Sequence, residues 1–254
     1  MTGSYDGSVD KLFLTGRPGA LTFRPPLRDC NAARLRRATG IAALGVAGWL
    51  PGTLACAQTD LTGLGKIVVG TAHKCALTAP GGVKCWGYNY YGQLGDNTTT
   101  QRLTPVDVSG LSNGVTAIAA GNSHTCALTV AGGVKCWGYN FYGQLGDNTV
   151  IQRLTAVDVL GLTSGVTAIA AGIYHSCALN TAGGVKCWGY NSDGELGDTT
   201  TTQRLTPVDV AGLASGVISI TAGELHTCAQ TTARGVKCWG YDSAKWEATP
   251  LLRD

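Results

Sequence analysis

Four histidines, His73, His124, His175 and His226, recur at a step of 51 residues, and each stands two positions before a cysteine: Cys75, Cys126, Cys177 or Cys228. A second cysteine follows ten residues later in every unit, at Cys85, Cys136, Cys187 and Cys238. An imidazole and two thiols on one face can hold zinc with one position left open, or the two thiols can join as a disulfide. In the unit from 115 to 165, a hairpin centred near Ala131 sets Cys126 opposite Cys136, where facing Cβ atoms stand about 4.5–5.5 Å apart. No carboxylate or fourth ligand accompanies the set. The expectation is four disulfides, no metal, and histidines that hydrogen-bond between neighbouring units. Each bridge closes a short loop and is worth about 2–3 kcal/mol.

Catalytic chemistry finds no foothold. No Gly-x-Ser-x-Gly elbow, phosphate-cradling loop or His-Glu-x-x-His helix occurs, and no acid, base and nucleophile stand together outside the repeat. The chain reads as a non-enzyme that needs no cofactor. Asp96, Asp147 and Asp198 follow Gly-x-Leu-Gly and read as turn residues. Asn191, Asp193 and Asp198 resemble a calcium loop, yet the positions matching Ser192 and Asp193 in the other units are Tyr90-Tyr91 and Phe141-Tyr142.

The elements that must position these residues follow from the 51-residue step. Segments 81–97 and 132–148 differ only at Tyr90 versus Phe141. Within the unit 115–165, Val115 to Ala120 is apolar and β-prone. His124 to Thr129 and Val134 to Asn140 flank a glycine-bearing hairpin turn, and Ala156 to Val159 supplies a fourth strand. Four short strands per unit of this length predict an all-β propeller blade. Trp86, Trp137, Trp188 and Trp239, on the opposite face from the cysteines, are expected to fill the gaps between blades.

The run Ala119-Ala120-Gly121-x-x-His124-Thr125-Cys126-Ala127-Leu128, with Gly133-Val134, Trp137-Gly138-x-Asn140 and Gly143-Gln144-Leu145-Gly146, resembles the regulator of chromosome condensation repeat. The resemblance covers residues 61 to 241 and implies a seven-bladed propeller. This chain holds three full units, about 66–116, 117–167 and 168–218. A fourth, 219–254, departs from the pattern where Lys245-Trp246-Glu247 replaces the Gly-Gln-Leu-Gly loop. The expected architecture is a partial ring of about 3.5 to 4 four-stranded blades, which self-association could complete.

Ahead of the repeats, residues 1–57 read as a leader. Arg34, Arg36 and Arg37 precede the apolar run Ile41 to Leu50, and Ala55-Cys56-Ala57 offers a small-residue cleavage site. Those are the parts of a secretory signal, so the chain is expected to be exported to a periplasm, cell surface or medium. No apolar run reaches the length of a membrane span. Charge divides at the same place: residues 1–57 carry +4 and residues 58–254 carry −1. Nucleic-acid binding needs cations facing phosphates, so the repeats are not expected to bind DNA or RNA.

The variable positions point to a partner. In a four-strand meander the first and third connections share one rim, and these change from unit to unit while the others barely do. The rim residues are Tyr90, Tyr91, Asn122, Ser123, Phe141, Tyr142, Ile173, Tyr174, Ser192 and Asp193. Exposed Tyr and Phe are types enriched at protein interfaces. The expected function is an exported, disulfide-stapled scaffold for protein–protein interaction. The family resemblance also implies guanine-nucleotide exchange, which depends there on a wedge-like insertion that the uniform step lacks. Inhibition of an enzyme is a further alternative.

Overall fold

The computed structural model describes residues 64–241. The leader, Cys30, Cys56 and the Lys245-Trp246-Glu247 departure lie outside the described residues. Every described regular element is a β-strand. Blade 1 comprises β1 (Leu64–Val69), β2 (His73–Thr78), β3 (Val83–Gly87) and β4 (Arg102–Asp107). Blade 2 holds β5 (Val115–Ala120), β6 (His124–Thr129), β7 (Val134–Gly138) and β8 (Arg153–Asp158). Blade 3 follows as β9 (Val166–Ala171), β10 (His175–Asn180), β11 (Val185–Gly189) and β12 (Arg204–Asp209). Blade 4 contributes β13 (Val217–Ala222), β14 (His226–Thr231) and β15 (Val236–Gly240). Each sheet is an antiparallel meander in sequence order, and among the described residues the four blades do not close into a ring.

Register follows the hairpin arithmetic: Cys126 pairs with Cys136, and Thr125 with Trp137. Two strand limits differ from the sequence expectation. The third strand ends at Gly138, whose φ of 101° turns the chain aside. A side chain there would meet the Ser123 carbonyl at 2.6 Å, which only glycine avoids. Asn140 therefore belongs to the loop. The fourth strand begins at Arg153, opposite Gly138, rather than at Ala156.

Between blades, the cystine face of one sheet meets the tryptophan face of the next. Trp137 of blade 2 is fully buried against Cys75, Cys85 and Leu94 of blade 1. Trp188 repeats this against Cys126, Cys136 and Leu145. Apolar burial and disulfides thus share one joint. Full burial of such rings dominates core energetics at this size. Trp86, on the outer face of blade 1, is only half-buried.

Candidate protein-binding rim

All four expected bridges are formed, Cys75–Cys85, Cys126–Cys136, Cys177–Cys187 and Cys228–Cys238, each with Cα atoms 4.1 Å apart. The sulfurs are thereby bonded to one another, and no cluster of metal-ligating side chains occurs among the described residues. The histidines serve the joints. His73 Nε2 lies 2.8 Å from Thr125 Oγ1, His124 Nε2 2.9 Å from Ser176 Oγ, and His175 Nε2 2.8 Å from Thr227 Oγ1. Each hydroxyl donates in turn to a main-chain carbonyl of the preceding blade, at Gln93, Gln144 or Glu195. Its oxygen is left to accept from the imidazole, which fixes the Nε2–H tautomer. The same carbonyls accept from the indole N–H of Trp137, Trp188 and Trp239 at 2.9–3.0 Å. Blade 1 carries Lys74, exposed, where the other blades carry the hydroxyl.

Burial keeps the three imidazoles neutral. It lowers His73 and His175 to about 4, with nearby Lys74 and His226 adding to the effect. His124, flanked by His73 and His175, falls to about 3, again chiefly through burial. Their Nδ1 atoms have no hydrogen-bond partner among the described residues.

The Gly-Gln-Leu-Gly-Asp loops hold the third connections in shape. Asn140 is the hub: its Nδ2 donates to Asp147, Thr149 and Ile151, and its Oδ1 accepts from the Leu145 N–H. Asp147 also accepts from Thr149 and pairs with Arg153 at 2.7 Å. Burial opposes its ionisation, but the bonds from Thr149, Arg153 and Asn140 outweigh it and hold the carboxyl below its usual range. Asn89–Asp96–Arg102 and Asn191–Asp198–Arg204 repeat the arrangement. Asp198 thus ties a turn; its oxygens are engaged by Asn191, Thr200 and Arg204. In blade 3, Glu195 replaces the glutamine; burial raises its carboxyl, while the Asp193 N–H bonds one oxygen at 2.9 Å.

The first and third connections do meet on one rim: Tyr142 of blade 2 and Tyr174 of blade 3 have ring centroids 5.0 Å apart. Tyr90, Tyr91, Phe141, Tyr142 and Tyr174 belong to one chain of aromatic contacts crossing three blades, with neighbouring centroids 4.7–6.4 Å apart. Three members were missed from sequence: Tyr88, Tyr139 and Tyr190. Their signal was there, as the Tyr of Trp-Gly-Tyr-Asn at the 51-residue step. Tyr139 is the centre, touching Tyr91, Phe141, Tyr142 and Tyr174. Burial, then the neighbouring phenols, push its hydroxyl pKa up. Tyr90 and Phe141 remain exposed, at 63% and 61%.

The remaining rim residues separate from this chain. Asn122 and Ile173 line an inner groove beside Gly121, Gly172 and Gly223. Ser123 Oγ donates to Asn122 Oδ1 at 2.6 Å. Ser192 and Asp193, both exposed, stand where blades 1 and 2 place aromatics, so the aromatic contacts stop at Tyr190.

Comparison with known proteins agrees with this architecture. The family model of the regulator of chromosome condensation (RCC1) repeat matches residues 80–128, 131–179 and 182–230, and a second RCC1 repeat model matches 66–93, 115–144 and 166–195. The human probable E3 ubiquitin-protein ligase HERC4 is 34% identical over 174 residues, covering 67% of this chain and 16% of the ligase. The ultraviolet-B receptor UVR8 of Arabidopsis thaliana is 31% identical over 186 residues, 70% of this chain and 41% of the receptor. The crystal structure of Kap60 bound to yeast RCC1 (Prp20) superposes with a TM-score of 0.60 at 25% identity, covering 70% of this chain and 44% of that one. The chain spans less than half the length of each.

Proposed function

This chain belongs to the regulator of chromosome condensation (RCC1) repeat family, and from that premise we propose that it is an exported, disulfide-stapled scaffold that binds a protein partner through its aromatic rim. The observation that carries the reading is the run of touching rings from Tyr88 to Tyr190, whose outer members are exposed on the rim where the units differ most. Rigid aromatics present large apolar area at small entropic cost, which is why they anchor interfaces. Yeast RCC1, which shares this fold, is bound by Kap60 in its crystal structure. Four bridged blades support an oxidising compartment, where such bonds persist, in keeping with the leader-like residues 1–57.

The test compares the wild type with the Tyr90→Ala/Phe141→Ala/Tyr142→Ala variant as baits for covalent cross-linking in the exported fraction of the source cell. A protein cross-linked to the wild type and lost from the variant supports the rim. The same cross-linked set with both baits would sink it.

A further inference from the structure

Each of the four disulfides ties two strands of one sheet. The boundaries between blades carry a different pair of groups. Tyr91 of blade 1 meets Tyr139 of blade 2, with ring centroids 4.7 Å apart and planes tilted by 58°. One repeat on, Tyr142 of blade 2 meets Tyr190 of blade 3 at 4.9 Å and 73°. Tyr174 of blade 3 stands on the same boundary, 5.0 Å from Tyr142. At the third boundary the pair is broken, because Asp193 holds the repeat position of Tyr91 and Tyr142.

These phenols are also the groups left open to oxidation. Methionine and free thiols are the common sinks for peroxide. Here the sole methionine is Met1, and the bridges take up every cysteine of residues 64–241. Trp137 and Trp188 are fully enclosed. Tyr91, Tyr139, Tyr142 and Tyr190 are half-buried. Trp86 and Trp239 are half-buried too, but the rim phenols are the ones in contact with one another.

We propose that Tyr91–Tyr139 and Tyr142–Tyr190 are oxidative cross-linking sites, at which a haem peroxidase with hydrogen peroxide joins neighbouring blades through dityrosine. Each phenol gives up one electron and its hydroxyl proton, and the peroxide takes up both to become two waters. The two phenoxyl radicals form a carbon–carbon bond between ring positions ortho to their oxygens. The hydrogens on those carbons then move to the oxygens, which restores both phenols and leaves the pair two hydrogens lighter. Rings already in contact need no rearrangement to couple. The product is a staple across a boundary that the disulfides do not cross. It needs no bound partner, so it stands or falls apart from the scaffold reading.

The test treats the full chain with a haem peroxidase and hydrogen peroxide, then isolates the monomer, reduces it and digests it with trypsin. Cuts after Lys84, Arg102, Lys135, Arg153, Lys186 and Arg204 put Tyr91, Tyr139 with Tyr142, and Tyr190 on separate peptides. Peptide 85–102 should be found joined to 136–153, and 136–153 to 187–204, each product two hydrogens lighter than its parts. Tyr91→Phe keeps the ring and should abolish the first link while leaving the second. Tyr142→Phe should do the reverse. Dityrosine confined to dimers and larger species would overturn the proposal, as would links that persist in these variants. Joining of 136–153 to 154–186 in place of 187–204 would overturn the second pair, since it would assign Tyr142 to Tyr174.

Discussion

His124 Nε2 lies 2.9 Å from Ser176 Oγ, across the boundary between blades 2 and 3, with both side chains fully enclosed. The Nε2–H makes this bond in either protonation state, so the penalty of protonation falls on the other ring nitrogen. Protonation would add an Nδ1–H that has no acceptor, and a charge in a site that water does not reach.

Stability should therefore fall with acidification in a defined window. The unfolded chain takes up protons on its histidines near the ordinary value of 6.5, whereas folded His73 and His175 wait until about 4 and His124 until about 3. Between those limits the unfolded state binds more protons, so stability drops as pH falls, by about 3 kcal/mol each for His73 and His175 and by more for His124. Urea midpoints at pH 7.5, 5.5 and 4.5 measure this, and His73→Gln should flatten the trend. A midpoint that does not move between pH 7.5 and 4.5 would contradict the joint described above. The depressed aspartates act lower, losing their contribution only as pH falls below about 3.8.

Two ion pairs of the same nominal kind should differ in worth. Asp147→Asn removes the charge and sets an amide NH2 against either Arg153 or Thr149, since only one acceptor oxygen remains, at a cost of about 1–3 kcal/mol. Lys135→Ala breaks an exposed pair with Asp158 and should cost under about 1 kcal/mol. Denaturant melts of both variants decide the order.

Reduction should begin at one end of the arc. Cys238 is exposed and Cys228 half-buried, whereas the other six bridged cysteines are essentially inaccessible. Limited reductant, alkylation and peptide mass mapping should label Cys228 and Cys238 first. Early labelling of Cys126 and Cys136 would contradict that order. Replacing the Cys126–Cys136 pair by alanines should cost about 2–3 kcal/mol.

Tryptophans in the same repeat position should not be equivalent. Trp137→Ala empties a closed inter-blade site and deletes the bond to the Gln93 carbonyl, a loss of about 3–5 kcal/mol. Trp86→Ala, on the half-buried outer face, should cost clearly less. Equal midpoints for the two variants would argue against the packing described.

Lys74 occupies the place of the hydroxyl that other blades present to a preceding histidine. Stacking blade 1 of one copy on blade 4 of another would bury that ammonium. Lys74→Thr should therefore raise the sedimentation coefficient at high concentration relative to wild type. Identical sedimentation would mean that Lys74 does not control such stacking.

Much of this was readable from the chain. Cys126 and Cys136 could be paired by counting, because a meander converts spacing into register. The histidines were expected to bond between blades, but Ser176 as the partner of His124 lies on another sheet, where register does not reach. Asn140 was assigned to a strand because its flanks are β-prone; what removes it is the positive φ of Gly138, a property that composition does not announce. The part played by Arg153 could not be read from the chain, since it depends on Asp147 being brought back to it from six residues away. The rim divided for a related reason. Asn122 and Ile173 immediately precede Ser123 and Tyr174 in the first connections, yet they line the inner groove.

The two-fold acceptors at each boundary are the main-chain oxygens of Gln93, Gln144 and Glu195. A main-chain oxygen is the same whatever side chain it carries, and glutamine gives way to glutamate at the third without disturbing the joint. Any unit that carries the hydroxyl and the tryptophan can thus follow another. Adding or deleting one such 51-residue unit would still leave matching surfaces at the new boundary, so the length of the array is not fixed by the chemistry of its joints.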